Sequence, residues 1–200
     1  MANFVITVDP DPTRRAAFCA IVRTRIAPLD NLASGECSCG DFHALWASGP
    51  RAPLTHSRTL RSATVVWGAP IAEENGRRLL AEDLANAWTG SAGLVHSLDG
   101  YFAAATYDED NGLVVGADVL GLFPVFWWHS GDVLLVGSSP ELFKHHPLFR
   151  FALDLAGLTG ILLMMHSVGG RTLMTGVNRL GAGRALVWRR GTQPREVLHY

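Results

Sequence analysis

The chain is short of charge, of cysteine and of long apolar runs, and each shortage excludes a class of protein. Only 18% of its 200 residues are charged, with 17 Lys and Arg against 18 Asp and Glu. A nucleic-acid binder needs a basic surplus for phosphate contacts, and a disordered chain combines low hydrophobicity with high net charge. A formal net charge of −1 and a hydrophobic content of 48% fit neither. Three cysteines, Cys19, Cys37 and Cys39, are an odd number and indicate no disulfide framework. Cys37 and Cys39 are closer together than a usual zinc pair, and no second ligand pair follows, so no metal site is expected. The apolar run from Ile161 to Met165 is far short of the ~20 residues that a bilayer requires. Met1 to Val8 has no basic leader, and its apolar run stops at Asp9-Pro10-Asp11-Pro12, unlike a secretory segment. A single cytoplasmic globular domain over 1–200 is expected, one that hides roughly 70% of the extended chain's surface on folding.

What is present reads as helices and closely spaced strands. Phe4–Val8 is β-branched and short, hence a buried strand. Asp11 and Pro12 are a helix start, with Phe18, Ile21 and Val22 on one face and Pro28 as the stop. Phe42–Ala47 and Thr64–Trp67 are further strands, the second ended by Gly68-Ala69-Pro70, and Leu79–Trp88 is a helix with Leu80, Leu84 and Trp88 on one face. From residue 98 the spacing tightens. Tyr101–Tyr107, Leu113–Ala117, Pro124–Trp128 and Val133–Gly137 are strands separated by turn residues, Asn111-Gly112 being a hairpin signal because both tolerate positive φ. Short connections predict one antiparallel meander over 98–137 packed on a second sheet. Helices over Pro140–His145 and Leu153–His166 and a strand over Arg184–Arg189 complete an α+β pattern.

Conventional motifs add little chemistry. Adjacent histidines on a helix, His145 and His146, point about 100° apart and do not converge on an ion; a surface or capping role is expected. Ser167-Val168-Gly169-Gly170-Arg171-Thr172 leaves a helix rather than opening one, so it reads as a connecting loop and not a phosphate cradle. Trp127 and Trp128 belong to packing.

Four blocks in the second half carry a resemblance. They are Leu98-Asp99-Gly100-Tyr101-Phe102-Ala103; Ala117-Asp118-Val119-Leu120-Gly121-Leu122-Phe123-Pro124-Val125-Phe126; Gly137-Ser138-Ser139-Pro140-Glu141-Leu142; and Arg171 to Val177 followed by Leu180 to Leu186. In order and spacing they resemble the glutaminase domain of asparagine synthetase-type enzymes. The resemblance implies the four-layer αββα sandwich of N-terminal nucleophile hydrolases. In it Asp118, Gly121 and Pro124 are scaffold, Gly121 permitting a tight reversal and Asp118 accepting hydrogen bonds from the turn.

The first half departs from that family. Its nucleophile is an N-terminal cysteine followed by glycine, with the α-amine as base; here Ala2-Asn3 stands in that place. Its N-G-E element, which supplies oxyanion donors and an ammonium contact, is matched only by Trp67-Gly68-Ala69. Ser48-Gly49-Pro50-Arg51 keeps the Gly-Pro of its R-G-P-D stretch without the flanking charges, and its S-D pair is missing near Thr89–Gly93. Cleavage before Cys39-Gly40 would restore an N-terminal thiol, at the loss of a strand and a helix that fit the family's own.

The resemblance therefore implies a degenerate domain, like those of β-lactam synthetases and lasso-peptide cyclases, with no catalytic residue of its own. Its implied partner is a synthetase domain of the same or a companion chain, where ATP and Mg²⁺ would act; no S-G-G-x-D-S loop is found here. A homodimer is a second partner option, and neither nucleic acid nor membrane is expected. Two alternatives stand beside this reading. One is a working amidotransferase using Cys39 or Cys19. The other is a binding module that keeps the old glutamine pocket for another ligand.

Overall fold

A computed structural model describes residues 2–88, 98–165 and 168–198. Two six-stranded antiparallel sheets stack face to face. The first has the order β10(Asn178–Arg179)–β8(Phe126–Ser130)–β9(Val133–Gly137)–β1(Ala2–Val8)–β3(Phe42–Ser48)–β2(Ala33–Cys39). The second runs β12(Arg195–Leu198)–β11(Arg184–Trp188)–β7(Gly112–Ala117)–β6(Leu98–Asp108)–β5(Ser62–Ala72)–β4(Leu54–Arg58). Alternate side chains of both sheets, Phe4, Ile6, Trp46, Val65, Trp67, Ala105, Val115 and Val136 among them, meet in the interlayer core. Helix α1 (Pro12–Arg23) covers the outer face of the first sheet through Phe18, Cys19 and Val22, and α2 (Ala81–Ala87) covers the second through Ala81 and Leu84, joined by Trp88. The layers are αββα, the α+β sandwich implied by the resemblance. Among the described residues no helix is long and apolar enough to cross a membrane.

Several local expectations change. The stretch 98–137 is not one sheet: the β6–β7 hairpin lies in the second sheet and the β8–β9 hairpin in the first. Residues 118–125 cross between layers, a step that strand spacing does not reveal. Thr64–Trp67 does not stop at Gly68 but extends through β5 to Ala72, paired along its whole length with β6. Gly68 and Gly100 make this feasible. Each has φ +99°, and a Cβ on either would sit 2.2 Å from a carbonyl oxygen of the facing strand, so the two chains bend together without leaving the ladder. At the β6–β7 turn only Gly112 has positive φ; the Asp108 carboxylate accepts from the Asp110 and Asn111 N–H groups instead, an Asx turn in place of a two-residue I′ turn.

The helix starts hold better than their faces. Asp11 caps α1 by accepting from the Thr13 and Arg14 N–H groups, but Cys19 is buried where Ile21 was expected, and the helix ends at Arg23, before Pro28. Leu80 caps α2 and is exposed. Pro140–His145 is a 3₁₀ helix, and α3 spans Leu155–Met164; His166 and Ser167 lie outside the described residues, as does the link 89–97 where the S-D pair was sought. His146 caps the 3₁₀ helix but is fully buried, not at the surface; its ring nitrogen lies 3.1 Å from the Asp9 carboxylate, which Arg14 also holds at 2.6 Å.

Candidate functional site

The sandwich opens at the end where β1 begins. Ala2 pairs with Ser48 at the end of β3, and Gly49–Pro53 continues from there as a loop toward β4. Asn3 is fixed on both sides of its amide. Its Nδ2 donates to the Ile26 carbonyl at 2.9 Å, and its Oδ1 accepts from the Ser138 hydroxyl at 2.7 Å. That hydroxyl in turn accepts from the Phe4 N–H at 3.0 Å, tying β1 to the Gly137-Ser138-Ser139 segment.

A cleft of about 620 Å³ lies at this mouth, with Pro50, Arg51, Gly68, Ala69, Tyr101 and Phe123 in its walls. A second hollow of about 460 Å³ shares Gly49, Tyr101 and Phe123 and reaches Asn3, Leu29 and Ser138. The residues named from the sequence gather here. Gly68 and Ala69 line the cleft, Trp67 is the buried neighbour beneath, and Pro124 lines the second hollow. Asp118, buried at the base of the crossing loop, accepts from the Leu122 N–H at 2.9 Å and the Phe123 N–H at 2.7 Å, while the Gly121 N–H (φ +64°) donates to the Asp118 carbonyl. Asp118 thus sets Phe123, which tilts against Phe4 at 6.0 Å and Tyr101 at 5.1 Å.

The cleft's chemistry is sparse. Among its described lining residues no carboxylate appears, and Arg51 is the one charged side chain. The Gly68 N–H is bonded to the Pro53 carbonyl at 2.8 Å. Trp67 is completely buried, and its indole N–H has no acceptor among the described residues.

The thiols lie elsewhere. β2 pairs Ala33 with Ser48 and Cys39 with Phe42, so Cys39 sits at the far end of the sheet from Ala2, about 20 Å away at the rise of a strand. Cys37 and Cys39 are buried in the interlayer core, and burial raises both thiol pKa values. Cys19 lies on the buried face of α1, and burial pushes it up to about 11. A thiol acts as a nucleophile through its thiolate, so none of the three is activated. The Val168–Thr172 loop is stapled in place: Arg171 Nε reaches Asp154 at 3.2 Å, and the buried Thr172 hydroxyl accepts from the Met174 N–H at 3.0 Å.

Comparison with known proteins places this architecture. A family model of a glutamine amidotransferase domain matches residues 82–199, more than half of the chain. The chain belongs to the glutamine amidotransferase domain family. Solved structures agree on the fold. The allosteric regulatory enzyme of purine biosynthesis aligns over 100% of this chain and 49% of its own, at 12% identity and a TM-score of 0.53. The glutamine phosphoribosylpyrophosphate amidotransferase from B. subtilis, complexed with ADP and GMP, aligns over the same shares at 12% identity and a TM-score of 0.52. The chain thus spans about half the length of these structures. No curated protein matches.

Proposed function

We propose that this is a glutamine amidotransferase domain without glutaminase activity, from the asparagine synthetase branch, supporting a synthetase domain of the same or a companion chain. The observation that carries the reading is the Gly68 N–H bonded to the Pro53 carbonyl, in a cleft whose described lining lacks a carboxylate, at the end of the sandwich where Ala2 stands in place of a thiol. Acyl transfer needs a nucleophile and donors aimed at the developing oxyanion. A methyl side chain cannot attack an amide, the amide donor is spent on Pro53, and the ammonium of glutamine has no carboxylate to meet among the described lining residues. The four sequence blocks around Gly100, Asp118, Ser138 and Thr172 support the asparagine synthetase branch. On this reading residues 1–200 form one domain of a cytoplasmic amide-forming enzyme, and ATP and Mg²⁺ act in the synthetase domain.

A relocated nucleophile is disfavoured by position, since Cys39 lies at the opposite end of its sheet from the cleft. Intact-mass measurement after incubation with the electrophilic glutamine analogue 6-diazo-5-oxonorleucine tests the reading. The expected result is an unlabelled chain that still carries the residues before Cys39. A covalent adduct, or a mass lacking those residues, would reject it.

A second reading has its own support. About 620 Å³ of mainly apolar space is the size of a small-ligand site, and Tyr101 and Arg51 stand in its walls. Retained binding of an apolar carboxylate would show as a rise in melting temperature with that ligand, removed by Arg51→Ala.

A further inference from the structure

The end of the sandwich opposite the mouth has a hollow of its own. Ala2 of β1 lies at the mouth and Val8 lines this hollow, about 20 Å away at the rise of a strand. Hairpin turns from both sheets gather there around about 260 Å³. The β2–β3 turn brings Asp41, the β8–β9 turn Asp132, the β6–β7 turn Glu109, and the β11–β12 turn Arg189 and Arg190.

Tyr107 enters the hollow from β6. It is only 7% exposed, and its ring stacks on Phe42 with centroids 5.3 Å apart and planes within 14°. A buried phenol ordinarily finds a hydrogen-bond partner, yet among the described residues nothing bonds to this hydroxyl. The charges nearest to it are mainly negative. Burial pushes Tyr107 up to about 12, and the Asp41 and Glu109 carboxylates push in the same direction, outweighing Arg190.

Those carboxylates keep spare acceptor capacity. Arg190 reaches Asp41 at 3.4 Å and Asp132 at 3.7 Å, and Arg15 stands 3.6 Å from the other Asp41 oxygen, all long for N–H···O bonds. Glu109 gives Oε2 to Arg61 at 3.2 Å. Its Oε1 lies over the Gly40 backbone, where a Cβ would come within 2.7 Å of it. Arg189 turns to the Asn111 side chain instead, at 3.4 Å.

We infer that this hollow binds a small primary ammonium ion, which donates to the Tyr107 hydroxyl and to the free oxygens of Glu109 and Asp41, with its alkyl stem against Trp188. A metal cation fits less well, because among the described residues no three His, Cys, Asp or Glu side chains are placed to hold one. A carboxylate ligand would stand against the negative charges that dominate around Tyr107. The space is below the ~300–1,000 Å³ of drug-sized sites, which limits the ligand to a few heavy atoms. The inference is independent of the catalytic reading, because no residue of the cleft takes part in it.

Calorimetric titration of the 200-residue chain with n-butylammonium chloride, at neutral pH and low salt, reads the binding, and backbone amide NMR shifts place it. The expected result is one saturable event, with shifts at Gly40, Asp41, Glu109 and Asp132, and no such event with sodium butyrate or 1-butanol. Tyr107→Phe removes only the hydroxyl and should weaken binding about tenfold, the effect of losing one hydrogen bond to a charged group, with the melting temperature little changed. Glu109→Gln keeps the volume, removes a charge and should weaken binding to a similar degree. No saturable binding up to about 50 mM, well above the millimolar range expected of so small a ligand, would overturn the inference. Butyrate binding as tightly as the amine, shifts centred on Gly68 and Tyr101, or either variant binding like wild type would overturn it as well.

Discussion

Phe4 and Trp67 stack across the two sheets, their ring centroids 4.0 Å apart and their planes within 15°. Phe4 belongs to the strand that begins with Ala2, and Trp67 immediately precedes Gly68, so the stack joins the start of β1 to the wall of the cleft. Trp46 meets Trp67 edge-on at 6.5 Å. The Trp67 indole fills the interlayer beneath the cleft.

Removing that indole should be expensive, and shrinking it should not. Trp67→Ala deletes a fully buried aromatic and is expected to cost about 3–5 kcal/mol. Trp67→Phe keeps the stack and removes an N–H that has no acceptor among the described residues, so stability should stay within about 1 kcal/mol of wild type. Urea denaturation of the three proteins checks both values.

Asp118 makes a sharper test of the crossing loop. Asp118→Ala strands the Leu122 and Phe123 N–H groups and should cost about 3 kcal/mol. Asp118→Asn keeps one acceptor oxygen and should cost about half as much. Equal losses for the two variants in urea denaturation would show that volume, not hydrogen bonding, is what Asp118 supplies.

The β-strands that sequence reading missed are the four sheet edges, β2, β4, β10 and β12. Each is short or polar: β2 reads Ala-Ser-Gly-Glu-Cys-Ser-Cys, and β12 reads Arg-Glu-Val-Leu. An edge strand is half-solvated and does not need the apolar run that marks β1 or β9. The central strands were legible because their interlayer faces must be apolar. The crossing from β7 to β8 was not, because hairpin spacing is the same whether two hairpins share a sheet or face each other. At the site, the residues that line the two hollows, Gly68, Ala69 and Pro124, were readable from the sequence. The pairing of the Gly68 N–H with Pro53 was not, since β4 itself gave no signal.

Acid should weaken the fold in two stages. His146 is buried, its Nδ1 accepting from the Leu148 N–H at 3.3 Å and its Nε2 facing Asp9. Burial lowers its pKa below the ordinary 6.5, outweighing the pull of Asp9. The unfolded chain therefore takes up a proton below pH 6.5 that the folded chain resists, and stability is full above that pH and falls as pH drops toward the folded value. Asp9 follows at lower pH. Burial raises its carboxyl, but Arg14, the Asp11 N–H and His146 together bring it below the ordinary 3.8, so its contribution is lost as pH falls through that depressed value. Denaturation midpoints between pH 4 and 8 should decline from about 6.5 downward. The slope from 6.5 to 5 should be shallower, not absent, in His146→Gln, because burial also lowers His43, His129 and His145.

Glutamate release from glutamine tests the central claim most directly. Losing one oxyanion donor alone costs an acyl-transfer enzyme about 10²–10³ in rate, and the covalent route needs a nucleophile that Ala2 does not provide. Wild type should release no glutamate above the buffer control. Ala2→Cys should also release none, because the Gly68 N–H remains bonded to Pro53 and the described cleft lining offers no carboxylate for the substrate ammonium. Turnover by the wild type would contradict the account outright, and turnover by Ala2→Cys would show that the cleft retains the oxyanion and substrate contacts assigned here as lost.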